Sequence, residues 1–331
     1  MINCWYTSPV VVDSTYLSHP LMDKEYIMLE AIISDVHFPD HSIAAWELTL
    51  KLLSKIKPDA ITLLGDLLDE DCVGRWPTKP EHLTTLQWEF DVTNRELGRL
   101  VDLNPQAKFR FQPGNHDIRV EHFLQSKAPE LASLRSLSLE SLMGLEELGI
   151  EFIAEDQKWR IGELYHSHGH LFKAGSVAVA RNLYKQLGVN MIVGHWHRHQ
   201  SHTETRYNGR SYLVAVNGTL QNFSVKYAHH HSWTAGITLI DYTPSGHFKY
   251  MPVQYFHEDG YVRYVNNGEL FQELLCGSEK YPEQKKELVI NIGGKNVKAP
   301  KAATSRSNQN RKQRGSSSNS NEPCTSGLFA V

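Results

Sequence analysis

Eighteen histidines stand among the 331 residues, and seven of them fall between His166 and His202. They belong to a series of five short polar clusters, each placed directly after an apolar run: Asp35-Val36-His37, Gly65-Asp66, Asn115-His116, His168, and Gly194-His195-Trp196-His197. Together the clusters offer two carboxylates (Asp35, Asp66), the Asn115 carbonyl and four imidazoles (His37, His168, His195, His197). Oxygen and nitrogen donors without thiolate suit Mn²⁺, Fe or Zn²⁺, and argue against a structural zinc site or a calcium cage. Seven donors are too many for one tetrahedral ion. They match two ions sharing a carboxylate, an arrangement that hydrolyses phosphate esters with ions about 3.5–4 Å apart. Asp35 and His37, like His195 and His197, are two residues apart, which on an extended chain turns both side chains to one face. By the same alternation His166 shares a face with His168, so either could be the ligand.

The elements that must position these groups follow from periodicity. Tyr26–Ser34, Ala60–Leu64, Lys108–Phe111, Glu163–His166 and Asn190–Val193 predict strands, each running into one of the clusters. Ile150–Ile153 and Trp159–Ile161 predict two more. Helices are predicted over Ser42–Lys57, His82–Leu100 and Val177–Leu187, with two further helical patterns across Val120–Leu148 parted near Pro129. Hairpin-like strands follow at Thr203–Tyr207, Ser211–Val216, Gly236–Asp241 and Phe248–Val253, with Asn208-Gly209 and Ser245-Gly246 as turns. A short helix is expected around Gly268–Leu275. Strands separated by helices, then strands joined by hairpins, predict a mixed α/β sheet assembly with helices outside. Ligand sites of open sheets lie beyond the carboxyl ends of their strands, so five such endings can meet in one cleft.

The five blocks in order, Asp35-Val36-His37, Gly65-Asp66-Leu67-Leu68-Asp69, Gly114-Asn115-His116-Asp117, His168-Gly169-His170 and Gly194-His195-Trp196-His197, resemble the motifs of the calcineurin-like metallophosphoesterase superfamily. The resemblance spans residues 35–197. It implies a two-sheet β-sandwich flanked by helices, in a four-layer architecture, and a binuclear metal centre hydrolysing phosphate esters. It implies that Asp35, His37 and His197 hold one ion, that Asn115, His168 and His195 hold the other, and that Asp66 bridges them. A water or hydroxide between the ions would be the nucleophile. His116 would protonate the leaving oxygen or hold the phosphate, and Asp69 would orient His116. The second block lacks the Asp-Arg-Gly continuation of Ser/Thr protein phosphatases, and the His-Gly-His form is that of small phosphodiesterases, which also favours His168 over His166.

Outside the blocks, Arg119 and His170 are candidates for substrate contact, with a local salt bridge and a solvated loop position as their alternatives. His199 and His202 are expected on the surface. A flexible loop is the favoured account of His229-His230-His231, because three consecutive residues of a strand cannot face one ion. Trp76–His82 and the helix after it form an insertion between the second and third blocks, expected either to shape the substrate entrance or to extend the outer helical layer. Residues 1–25 form an unexplained extension before a domain at 26–280, and the Ser/Asn-rich stretch from Lys295 to 331 is expected to be disordered. From Lys295 to Arg314 this stretch carries seven basic residues and no acidic one, so it could bind nucleic acid nonspecifically.

The net charge of −3 does not demand a nucleic-acid or membrane partner. Neither a signal peptide nor an 18-residue apolar run is present, and the four scattered cysteines suit a reducing compartment, so a cytoplasmic protein is expected. The sequence lacks a GxSxG elbow, a phosphate-binding P-loop, GxGxxG and HExxH. A two-metal phosphoesterase is expected, with Mn²⁺ the first choice of ion, diesters preferred and a nuclease the leading subdivision. A phosphomonoesterase and a non-catalytic binding scaffold are its alternatives.

Overall fold

The computed structural model describes residues 10–13, 27–74, 85–223, 232–275, 289–292 and 295–298. The chain divides into two units, Met1–Glu279 and Lys280–Val331. Strands of the first unit are β1 (Val10–Asp13), β2 (Met28–Ile33), β3 (Ala60–Leu64), β4 (Lys108–Gln112), β5 (Ile150–Phe152), β6 (Lys158–Ile161), β7 (Leu164–Ser167) and β8 (Met191–Val193). They continue with β9 (Gln200–Thr205), β10 (Ser211–Val216), β11 (Gly236–Tyr242), β12 (Phe248–Gln254), β13 (Phe256–Glu258), β14 (Tyr261–Asn266) and β15 (Glu269–Leu274). One six-stranded sheet has the order β12-β11-β2-β3-β4-β5, and a second the order β1-β6-β7-β8-β10-β9. In the first, β2 to β5 are parallel, β11 runs antiparallel to β2, and β12 antiparallel to β11. In the second, β7, β8 and β10 are parallel.

Strand alternation builds the layers. Ile192 and Ala215 turn inward, joining Met28, Ile32, Leu64, Trp159, Ile161 and Ile240 in a core between the two sheets. Their neighbours Met191, Val193, Val214 and Val216 turn outward and pack against Val179, Ala180 and Leu183 of the helix Val179–Leu187. Beside the other sheet the helix Ile43–Ile56 contacts β11, β14, β15 and the helix Leu86–Leu103. Ser42 starts Ile43–Ile56 by accepting from the Ala45 N–H, and Lys57 ends it in a left-handed conformation before Pro58. The result is the expected mixed α/β sandwich of two sheets flanked by helices.

A carboxylate is buried within the sandwich. Glu30 on β2 accepts from Thr62 Oγ1, from His166 Nε2 at 3.1 Å and from the Tyr242 hydroxyl at 2.7 Å. The His166 ring stacks on Trp159 with centroids 4.3 Å apart.

Three expectations change and a fourth is narrowed. Gly268–Leu275 is not a helix: β15 pairs with β14 in a three-stranded sheet with β13. Its two-residue turn, Asn267-Gly268, has positive φ at both positions (47° and 83°), the hairpin signal that an Asn-Gly pair carries. Across Val120–Leu148 the two helical patterns are the helix Arg119–Lys127 and, beyond Pro129, a helix of only one turn, Leu139–Leu142, capped by Ser138 and preceded by a 3-10 turn at Arg135–Leu137. Val10–Asp13 is an edge strand parallel to β6. In the second unit Val289–Ile292 and Lys295–Lys298 pair as antiparallel strands where disorder was expected from Lys295; β-branched residues flank a Gly-Gly pair there. Trp76–His82, His229–His231 and the chain beyond Lys298 lie outside the described residues. Among the described residues, no helix is long and apolar enough to cross a membrane.

Candidate metal centre

The turns after β2, β3 and β8 share an unusual backbone. Asp35 (φ 54°), His37 (57°), Asp66 (52°), His195 (69°) and His197 (56°) all adopt the left-handed region, which costs a non-glycine residue about 1–3 kcal/mol. The surroundings fix these turns. Asp35 and His37 donate their N–H groups to the carbonyls of Gly65 (2.9 Å) and Asp66 (3.0 Å). The His195 N–H donates to both oxygens of Asp35 at 2.9 and 3.1 Å. The two-residue spacing therefore works differently from the extended chain expected: each pair reaches one side through two left-handed residues, while Val36 between them is fully buried in the core.

Asp66 lies where the strand endings meet. Its Oδ1 accepts from the His116 N–H at 2.8 Å, while Oδ2 lies 3.2 Å from His168 Nε2 and 3.9 Å from His37 Nε2. Two groups of donor atoms share it: Asp35, His37, Asp66 and His197 converge on one side, and Asp66, His168 and His195 on the other, within 4.8 Å in each group. His197 Nε2 is 3.2 Å from Asp35 Oδ1 and 3.2 Å from His37 Nε2. His168 donates from Nδ1 to the Leu64 carbonyl at 2.9 Å, which aims Nε2 into the cluster. The backbone there is close-packed: a side chain at Gly114 would collide with Asp66 Oδ1 and come within 2.8 Å of His168 Nε2.

The donor set fits divalent ions. Asn115 Oδ1 is buried and makes no hydrogen bond, and a buried polar atom left so costs about 1–3 kcal/mol; His168 Nε2 is buried against the Asp66 carboxylate at 3.2 Å. Carboxylates, imidazoles and an amide oxygen facing one space are the chemistry by which such ions are held. The charges agree. Burial opposes the Asp66 charge, but His168 and then His116 outweigh it and hold the carboxyl well below its usual range. Burial likewise works against the charge on His168, and the Asp66 and Asp35 carboxylates carry it up to about 10. His195 is pushed down to about 4, by burial and then by the charge on His168.

The remaining candidates surround this cluster. His116 Nδ1 is 3.1 Å from Asp69 Oδ1, and that oxygen is also 3.0 Å from His37 Nδ1. Arg119 donates to the Asp69 carbonyl at 2.6 Å, pairs with Asp71 at 3.1 Å, and places Nη2 3.0 Å from His116 Nε2. His170 pairs with Glu155 at 2.5 Å, its ring 5.4 Å from that of His168. Of His166 and His168, only His168 reaches the cluster. His202 lies beside Glu204 on an exposed strand, but His199, expected on the surface, has both ring nitrogens buried, Nε2 against Gly218 and Gly236. One further polar strand ending went unnoticed in the sequence. After β10, Thr219 donates to the Asp35 carbonyl at 2.6 Å and Asn217 to Ser34 Oγ at 3.0 Å. It has the same form as the other five, a polar run directly behind an apolar strand.

The calcineurin-like phosphoesterase family profile matches residues 30–199, and the chain belongs to that family. The gene 54 proteins of Mycobacterium phages L5 and D29 are each 25% identical to it over 177 residues, 50% of this chain and 68% of theirs. Among solved structures, the YfcE phosphoesterase of E. coli is 15% identical, with 75% of this chain and 100% of that one covered and a TM-score of 0.35. Vps29 of Chaetomium thermophilum is 14% identical, with 75% and 100% covered and a TM-score of 0.39.

Proposed function

We propose that this chain hydrolyses phosphate esters with two divalent ions, preferring diesters, and that residues 26–280 are its catalytic domain. The observation that carries this reading is the Asp66 carboxylate standing between two groups of buried donors. Asp35, His37 and His197 would hold one ion, Asn115, His168 and His195 the other, and Asp66 both. Mn²⁺ is the ion assigned to this oxygen- and imidazole-rich set. When bound, such a pair activates water near neutral pH and neutralises phosphoryl charge.

The chain's own groups do the rest. His116 delivers a proton to the leaving oxygen, a contribution of about 10²–10⁴-fold for a well-placed imidazole. Asp69 holds its Nδ1 side, which leaves Nε2 toward the Arg119 guanidinium 3.0 Å away. An entering phosphoryl oxygen meets both His116 Nε2 and the Arg119 guanidinium beside it. His170, backed by Glu155, contacts the substrate from the opposite rim. The basic stretch Lys295–Arg314 favours a polynucleotide substrate.

The test is a panel of p-nitrophenyl phosphate, bis-p-nitrophenyl phosphate, and single- and double-stranded DNA with the Mn²⁺-loaded protein. Faster diester than monoester cleavage, extending to DNA, is expected. Diester cleavage without DNA cleavage removes the nuclease assignment, and faster monoester cleavage replaces the diesterase by a monoesterase. Bound metal with no hydrolysis of any ester identifies a binding scaffold.

A further inference from the structure

The fourth residue of the Gly114-Asn115-His116-Asp117 block has no part in the chemistry above, yet it is fully buried directly beneath the cluster. Asp117 Oδ2 accepts from the N–H groups of Asp66 and Gly114, both at 2.7 Å. Its Oδ1 accepts from those of Leu67 and Leu68, both at 2.9 Å. Four backbone donors from two separate turns thus converge on one carboxylate. Three belong to the turn after β3, which carries Asp66, and one to the turn after β4, which carries Asn115 and His116.

We propose that Asp117 is a positioning residue of the metal centre, its carboxylate fixing the spacing between the turn that presents Asp66 and the turn that presents Asn115. The inference rests on the two-metal reading above. An ionised carboxylate is all acceptor, with about four lone-pair sites on its two oxygens, and here each oxygen takes two N–H groups. An amide of the same size would turn an NH₂ toward two of those donors. The spacing has little slack, because a Cβ at Gly114 would already collide with Asp66 Oδ1. The hydrogen bond from the His116 N–H to Asp66 Oδ1 at 2.8 Å spans the same gap, so a shift of either turn moves bridge and neighbouring ligand apart.

The effect should be selective. Both turns that Asp117 joins serve the ion assigned to Asp66, Asn115, His168 and His195. Asp35, His37 and His197 lie on turns to which it makes no hydrogen bond among the described residues. The experiment titrates metal-stripped full-length protein with Mn²⁺ by calorimetry, with bound metal counted by elemental analysis and folding followed by circular dichroism. Wild type is expected to take two ions. Asp117→Asn should lower affinity for one of them about 10–100-fold, the usual cost of removing a partner that supports a ligand, and lower the other less. Asp117→Glu keeps the charge but lengthens the clamp by one methylene, and should give the same selective loss if Asp117→Asn does not fold.

A folded variant that binds both ions as wild type does overturns the proposal. So does an equal loss at both sites accompanied by a lower melting temperature, and so does failure of both variants to fold, since each makes Asp117 a residue of the fold alone. Wild-type protein binding fewer than two ions is a different result. It defeats the two-metal reading before any variant is compared, and the proposal falls with it.

Discussion

Two buried carboxylate–histidine clusters lie within the sandwich, and their histidines are two residues apart on the same segment. In one, Glu30 accepts from His166, Tyr242 and Thr62, so both its oxygens are filled, and its four members stand on regular strands. In the other, Asp66 Oδ2 pairs with His168 Nε2 at 3.2 Å, Asn115 Oδ1 is buried without a hydrogen bond, and Asp66 and His195 sit on left-handed backbone. Residue type does not separate the two clusters. Left-handed backbone and an amide oxygen with no donor do, since His166 Nδ1 in the first cluster is likewise buried without a hydrogen bond and an unbonded nitrogen does not tell them apart.

The sharpest way to break the contrast is Asp66→Asn. Removing the shared charge should release both ions and reduce hydrolysis by more than the about 10–100-fold cost of losing a mere supporting partner, while the protein stays folded. Unchanged metal content by elemental analysis would refute the bridge. Glu30→Ala should do the reverse. It leaves the Thr62, His166 and Tyr242 donors without their acceptor, at about 1–3 kcal/mol for each group left unsatisfied. Each kcal/mol lowers Tm by about 2–4 °C in a domain of this size, yet metal stoichiometry per folded molecule should hold. A variant that melts like wild type but has lost metal would merge the two clusters into one.

The smallest effect is one of pH. In the metal-free protein His168 is raised from 6.5 to about 10, so its charged form adds stability that is fully present below 6.5 and is lost as pH rises through about 10. Ions bind the neutral imidazole. The gain in Tm on adding Mn²⁺ should therefore grow from pH 6.5 to pH 8. Thermal unfolding with and without the ion measures it, and a gain that is flat or shrinks with pH would separate His168 from the ligand set.

Much of this was legible in the sequence because each strand that feeds the cleft is a short apolar run with a polar ending. Ala60–Leu64 and Ser211–Val216 were bounded to the residue for that reason. What escaped depends on contacts between distant segments. The left-handed turns at Asp35 and His37 are held by carbonyls some 30 residues away, and spacing alone suggested an extended chain. Spacing alone leaves His166 and His168 equivalent, and their distant partners part them: Glu30 takes His166, while the Leu64 carbonyl and Asp66 hold His168. Asn267-Gly268 was the opposite failure, a local turn signal outweighed by an apolar pattern read at helical spacing.

The sheet order β12-β11-β2-β3-β4-β5 places β11, residues Gly236–Tyr242, against β2 near the start of the fold. On the ribosome every strand ending of the cleft is therefore made before β11, the second partner of β2, exists. Synthesis at about 5–20 residues per second leaves the β2 edge open for about 10–40 s, with nascent apolar surface awaiting a strand still to come. A fragment cut to the motif region alone would keep that edge for good, and it should precipitate or require a chaperone where the longer chain does not.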